Sequence, residues 1–159
     1  MIDRPVGDVL KGKPSASLFS VASTATVSEA VALMDEKGLG SVLVRDAGGR
    51  MAGIFTERDL MRRVVRQGGD PKTTAMSAVM SPEVRQGPAS ESIVETLRIM
   101  GEHGYRHMLV SDGGKPAGVV SIRDLMRWLI LPDEPIAHEG RRGEIRTRAM
   151  DAVETLKQG

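Results

Sequence analysis

The chain has 159 residues, 22 Lys and Arg against 21 Asp and Glu, a net charge of +1 and 40% hydrophobic residues. That apolar content suffices for a packed core and excludes wholesale disorder, and near-neutrality excludes a nucleic-acid binder recognisable from charge alone. There is no Cys, which removes disulfides, thiolate metal sites and Cys nucleophiles and fits a reducing compartment.

One Trp, one Tyr and two Phe leave a core that must be aliphatic and methionine-filled. The opening Met1-Ile2-Asp3-Arg4-Pro5 lacks the apolar centre of a signal peptide. No apolar run approaches the ~18 residues of a membrane span, so a cytoplasmic, membrane-free protein is expected.

In chain order, residues 1–14 read as an N-terminal segment, followed by a short strand over Leu18–Val21. Val27, Ala30, Val31 and Met34 recur at i, i+3, i+4 and i+7, which predicts a helix ending near Gly38. Strands are predicted over Ser41–Val44 and Met51–Phe55, separated by the turn Asp46-Ala47-Gly48-Gly49. A helix over Glu57–Val65 then leads to the turn Gly68-Gly69-Asp70-Pro71.

The same order follows again. A short strand at Glu83–Arg85 precedes a helix carried by Ile93, Leu97 and Met100 and ending at Gly104. Strands His107–Val110 and Ala117–Val120 flank the turn Asp112-Gly113-Gly114, and a helix spans Ile122–Ile130. Leu131-Pro132-Asp133-Glu134-Pro135 ends this copy. Ile145, Ala149, Ala152, Val153 and Leu156 predict a terminal helix over about 141–157.

The repetition is in the residues themselves. Glu29, Met34, Glu36, Gly38, Leu43 and Val44 match Glu95, Met100, Glu102, Gly104, Leu109 and Val110 at an offset of 66. One residue less in the second loop makes the offset 65, where GIFTERDLMR at Gly53–Arg62 aligns with GVVSIRDLMR at Gly118–Arg127, six of ten positions identical. A unit of ~60 residues is marginal alone. The expectation is one α/β (α+β) module of two pseudo-symmetric β-α-β-β-α repeats, 15–68 and 69–132, packed sheet to sheet, with a tail over 133–159.

The repeated signature, Gly-h-h-(Thr/Ser)-x-Arg-Asp, falls where a strand enters a helix. The first helical N–H groups there are unpaired and favour an anion such as phosphate. The carboxylate one turn on can accept two hydrogen bonds from a vicinal diol. This makes Thr56 with Asp59, and Ser121 with Asp124, candidate nucleotide clamps, and Gly53 and Gly118 points of close approach. The same residues also read as capping boxes, and by themselves they leave both readings open.

The sequence resembles a tandem pair of cystathionine-β-synthase-type (CBS) domains, the Bateman module. GIFTERDL and GVVSIRDL are similar to that family's second-strand-and-helix motif, GSVLV at Gly40–Val44 and YRHMLVSD at Tyr105–Asp112 to its middle strand, and Met80-Ser81-Pro82 to its link. The likeness spans roughly residues 8–131.

It implies clefts between the sheets that bind AMP, ADP, ATP, NAD(H) or S-adenosylmethionine, and assembly as a homodimer. Position by position it implies that Asp124 holds the ribose with Ser121 as its hydroxyl partner, and Arg123 between them is a further candidate binding residue. It further implies that Arg106 and His107 face phosphates, and that Asp59 and Thr56 serve the second cleft. Leu39, Gly40 and Ser41, from the opposite repeat, would line the adenine pocket of the Ser121/Asp124 site. The first repeat has Gly40-Ser41 where the second has Arg106-His107, so the Ser121/Asp124 site is expected to suit phosphorylated ligands better.

Other chemistry finds less support. His103, His107 and His138 lack metal-ligand spacing, and no nucleophile or acid pair sits in a catalytic frame, so neither enzyme nor required cofactor is expected. Arg62, Arg63 and Arg66 read as a solvated face within reach of a phosphate. Glu139, Glu144, Asp151 and Glu154 among the tail arginines 141, 142, 146 and 148 argue against nucleic acid and for a docking or dimer helix. The functional expectation is a regulatory sensor of adenosine nucleotides read by a protein partner. Its rival is a ligand-free dimeric scaffold presenting the terminal helix.

Overall fold

The computed structural model describes residues 3–13 and 18–131; the expected terminal helix over 141–157 lies outside them. The described chain forms two packed units, each with its own three-stranded sheet.

The first repeat builds one unit from Leu18 to Gln86. Strand β1 (Ser20–Ala22) leads to helix α2 (Val27–Lys37) and strand β2 (Ser41–Arg45). β1 pairs parallel with β2, Val21 opposite Val44. Strand β3 (Met51–Thr56) returns antiparallel, with Ser41 opposite Thr56. Thr26 caps α2 through a capping box with Glu29, and Gly38 ends it at φ 63°, the left-handed conformation that favours glycine.

Beyond β3, α3 (Glu57–Asp59) runs straight into a π-helical stretch, Leu60–Val65, where the sequence predicts one regular helix. Val27, Ala30, Val42, Val44, Phe55 and Val64 form the core. The link to the second repeat closes it from below: α4 (Met76–Val79) buries Met76 and Val79 in the same cluster.

The second repeat is completed by the N-terminal segment. Helix α1 (Val6–Lys11), unforeseen in the sequence, docks Val6 and Val9 into a core with Ile93, Met100, Met108, Val120, Leu125 and Trp128. Backbone bonds from Val6 N–H to Glu91 O (2.7 Å) and Gly7 N–H to Ala89 O (2.8 Å) hold it there, and the Arg4 guanidinium lies 5.2 Å from the Trp128 ring centre.

Strand β4 (Gln86–Pro88), helix α5 (Ile93–His103), strands β5 (His107–Asp112) and β6 (Lys115–Ser121) and helix α6 (Ile122–Ile130) complete the set. The sheet order is β4-β5-β6, with His107 opposite Ser121. The packed units therefore cut the chain differently from the sequence repeats 15–68 and 69–132. Each repeat takes the short helix that precedes the other one, because 6–11 and 76–79 carry the apolar residues its sheet needs.

Candidate functional site

In each unit the middle strand begins beside the end of the last strand, and the last strand turns into a helix. Glu57 N–H, the first of α3, donates to Gly40 O at 3.1 Å, and Ile122 N–H, the first of α6, donates to Arg106 O at 3.0 Å. With Ser41 opposite Thr56 and His107 opposite Ser121, each unit gathers its own candidates at one sheet corner. Gly40, Ser41, Thr56 and Asp59 meet in the first repeat, whereas Leu39 packs against that repeat's core; Arg106, His107, Ser121, Arg123 and Asp124 meet in the second.

The capping geometry is present at both corners. In the first, Thr56 N–H and hydroxyl each donate to Asp59 Oδ2 at 3.0 Å, and Asp59 N–H donates back to Thr56 Oγ1 at 3.2 Å. Asp59 is buried. Its other oxygen faces Arg63 Nε at 3.5 Å and the Ser81 hydroxyl at 3.4 Å. Arg63 also donates to Met80 O at 2.7 Å, so it braces this corner while its side chain stays 45% exposed.

In the second corner Ser121 N–H donates to Asp124 Oδ2 at 2.8 Å, and Asp124 N–H donates to Ser121 Oγ at 3.2 Å. Lys13 Nζ, from the segment after α1, lies 2.5 Å from the same Oδ2 and donates to Val119 O at 2.9 Å. Nothing in the sequence marked Lys13, because it precedes both repeats and reaches Asp124 only through the docking of α1.

Burial pushes the His107 imidazole down to about 4; Lys13, Arg106 and Arg123 push the same way and Asp124 opposes them. His107 is therefore neutral at physiological pH, and its buried Nδ1 has no hydrogen-bond partner. The positive charge expected of the Arg106/His107 pair rests on Arg106, which is exposed, as is Arg123. Lys13 adds a third cation.

At Gly53 the close approach is made by backbone: a Cβ there would collide with Ser81 O. No group of three or more His, Cys, Asp or Glu among the described residues is placed to hold a metal. No described helix is long and apolar enough to cross a membrane.

Two like corners in one chain, each with a hydroxyl, a carboxylate and a helix start, define a duplicated module. The chain belongs to the CBS domain family, whose sequence profile matches residues 6–66 and 76–131. A protein with CBS domains from Burkholderia ambifaria is 38% identical, with a TM-score of 0.74, over 85% of this chain and 99% of that one.

A CBS domain protein from Pyrobaculum aerophilum, solved in complex with AMP, is 25% identical with a TM-score of 0.63 over 76% of this chain and 88% of that one. Arabinose 5-phosphate isomerase KdsD from Salmonella typhimurium is 35% identical over 106 residues, 65% of this chain but 31% of that enzyme. The match is thus to a minor part of the isomerase.

Proposed function

We propose that the protein is a regulatory module that binds adenosine phosphates at its strand–helix corners. Binding would change the assembly read by a protein partner. The observation that carries this reading is the Ser121/Asp124 corner, a poorly exposed carboxylate one turn into a helix with Lys13, Arg106 and Arg123 around it. That set suits a ribose diol next to a phosphate. The AMP held by the Pyrobaculum aerophilum relative supports the ligand class.

Calorimetry with AMP, ATP, NADH and S-adenosylmethionine is the test, and no binding at near-millimolar ligand overturns the proposal. The Ser121/Asp124 corner is the tighter site because Arg106 stands where the first repeat has Gly40. Asp124→Ala is accordingly expected to weaken the tighter binding event more than Asp59→Ala does, and equal losses overturn that ranking.

The module works as a homodimer in this reading. Met61 and Val65 are 58% and 66% exposed, and their counterparts at the repeat offset, Met126 and Ile130, are 46% and 41% exposed. Both repeats leave the same two apolar positions of the same helix uncovered, a pattern suited to a symmetric, self-complementary contact with a second copy.

A further inference from the structure

We propose that Lys13 is a positioning residue: by occupying Asp124 Oδ2 it leaves Asp124 Oδ1 and the Ser121 hydroxyl available to a ribose. The inference rests on the nucleotide reading above and deepens it at the Asp124 corner. A carboxylate oxygen has two lone pairs, so its hydrogen bonds can be counted. Asp124 Oδ2 is filled by Ser121 N–H at 2.8 Å and Lys13 Nζ at 2.5 Å. Oδ1 accepts from no group among the described residues. The Ser121 hydroxyl oxygen accepts Asp124 N–H at 3.2 Å, and its own proton has no acceptor among those residues.

The first corner shows the same motif without a lysine. Thr56 Oγ1 and Thr56 N–H each donate to Asp59 Oδ2 at 3.0 Å, so the hydroxyl proton is spent on the cap. Asp59 Oδ1 meets the Ser81 hydroxyl at 3.4 Å and Arg63 Nε at 3.5 Å. Both Asp59 oxygens thus have protein partners.

Lys13 takes at Asp124 Oδ2 the place that the hydroxyl takes at Asp59. A bond to Val119 O at 2.9 Å fixes its ammonium there, and both side chains of the ion pair are only 14% exposed. A sugar hydroxyl can then donate to Oδ1 and accept from Ser121 with the ion pair intact.

The test is calorimetry of the full chain with AMP and with 2′-deoxy-AMP, alongside melting temperatures. The ratio of the two affinities reports the sugar contacts and cancels any contact to phosphate. The wild type is expected to prefer AMP at least about tenfold, the size of a hydrogen bond to a charged acceptor. Lys13→Met lets the Ser121 hydroxyl turn onto Oδ2, and the preference should fall about fivefold, the size of one neutral hydrogen bond. Ser121→Ala should lower it equally, and the double variant no further, since both act through one hydroxyl. Lys13→Arg keeps a cation at Oδ2 and should retain the preference. Should Lys13→Met not fold, Lys13→Gln takes its place.

A purely structural lysine would lower the melting temperature and weaken both nucleotides alike. That result, or losses that add in the double variant, overturns the positioning role and leaves the nucleotide reading standing. A wild type that binds neither nucleotide overturns the nucleotide reading and the positioning role with it.

Discussion

Ser81 and Ile54 exchange both backbone hydrogen bonds, Ile54 N–H to Ser81 O at 2.9 Å and Ser81 N–H to Ile54 O at 2.8 Å, directly beside Gly53. This short antiparallel bridge fastens the inter-repeat link to β3 and brings the Ser81 hydroxyl to Asp59. It is possible because position 53 has no side chain: a Cβ would strike the Ser81 carbonyl oxygen, which is backbone and cannot rotate away. Gly53→Ala is expected to destabilise the protein by about 1–3 kcal/mol. Urea unfolding measures this, and a variant within about 0.5 kcal/mol of wild type contradicts the proposed constraint.

The docking of α1 makes the N-terminus part of the second repeat's core. Val9 is fully buried among residues of α5, α6 and the β4-β5-β6 sheet. Val9→Ala removes two buried methyl groups and is expected to cost about 2 kcal/mol. Deletion of residues 1–12 should unfold the second-repeat unit at moderate urea. Retention of the wild-type unfolding midpoint by the deletion would show that α1 is dispensable.

His107 gives the stability a pH dependence whose sign follows from its neutral, buried state. Its value in the unfolded chain is near 6.5 and in the folded chain about 4. The unfolded state thus binds the proton more readily between those values. The contribution is complete above pH 6.5 and is lost as pH falls towards 4, with a slope of at most about 1.4 kcal/mol per pH unit. Unfolding free energies at pH 7.5, 6.0 and 5.0 should fall more steeply for wild type than for His107→Asn. Parallel slopes would show that the imidazole is not held neutral.

The like exposure of Met61 and Met126, and of Val65 and Ile130, each on the last helix of its own repeat, predicts that these helix positions take part in joining two copies. Sedimentation velocity should show a dimer for the wild type. The double substitution Met61→Glu and Met126→Glu should give a folded monomer, because charges brought together across a symmetric apolar contact repel. A double variant that remains dimeric places the interface elsewhere.

Much of each repeat was legible from local pattern. The α2 stripe Val27, Ala30, Val31 and Met34, the stop at Gly38, the strands from Ser41 and His107 and the helix Ile122–Ile130 depend on neighbours a few residues away. The structure has all of them. The edge strand expected over Glu83–Arg85 lies instead at Gln86–Pro88. Alternating side chains mark extended chain, whereas the bonds to a partner strand choose which residues pair. The π-helical stretch Leu60–Val65 has no signature in a side-chain pattern that also suits an α-helix.

Sequence alone determined the duplication, the β-α-β-β-α order and the two capping carboxylates Asp59 and Asp124, since these are repeated short-range patterns. Tertiary structure decided what those carboxylates touch. Arg63 is one turn from Asp59 and visible as a neighbour, yet its bond to Met80 O needs the link folded back along β3. Lys13 reaches Asp124 only because Val6 and Val9 anchor α1 in the second repeat's core. The neutral state of His107 likewise comes from burial, which its residue type cannot reveal. Contacts between distant segments depend on which apolar faces find each other, and no local spacing records that.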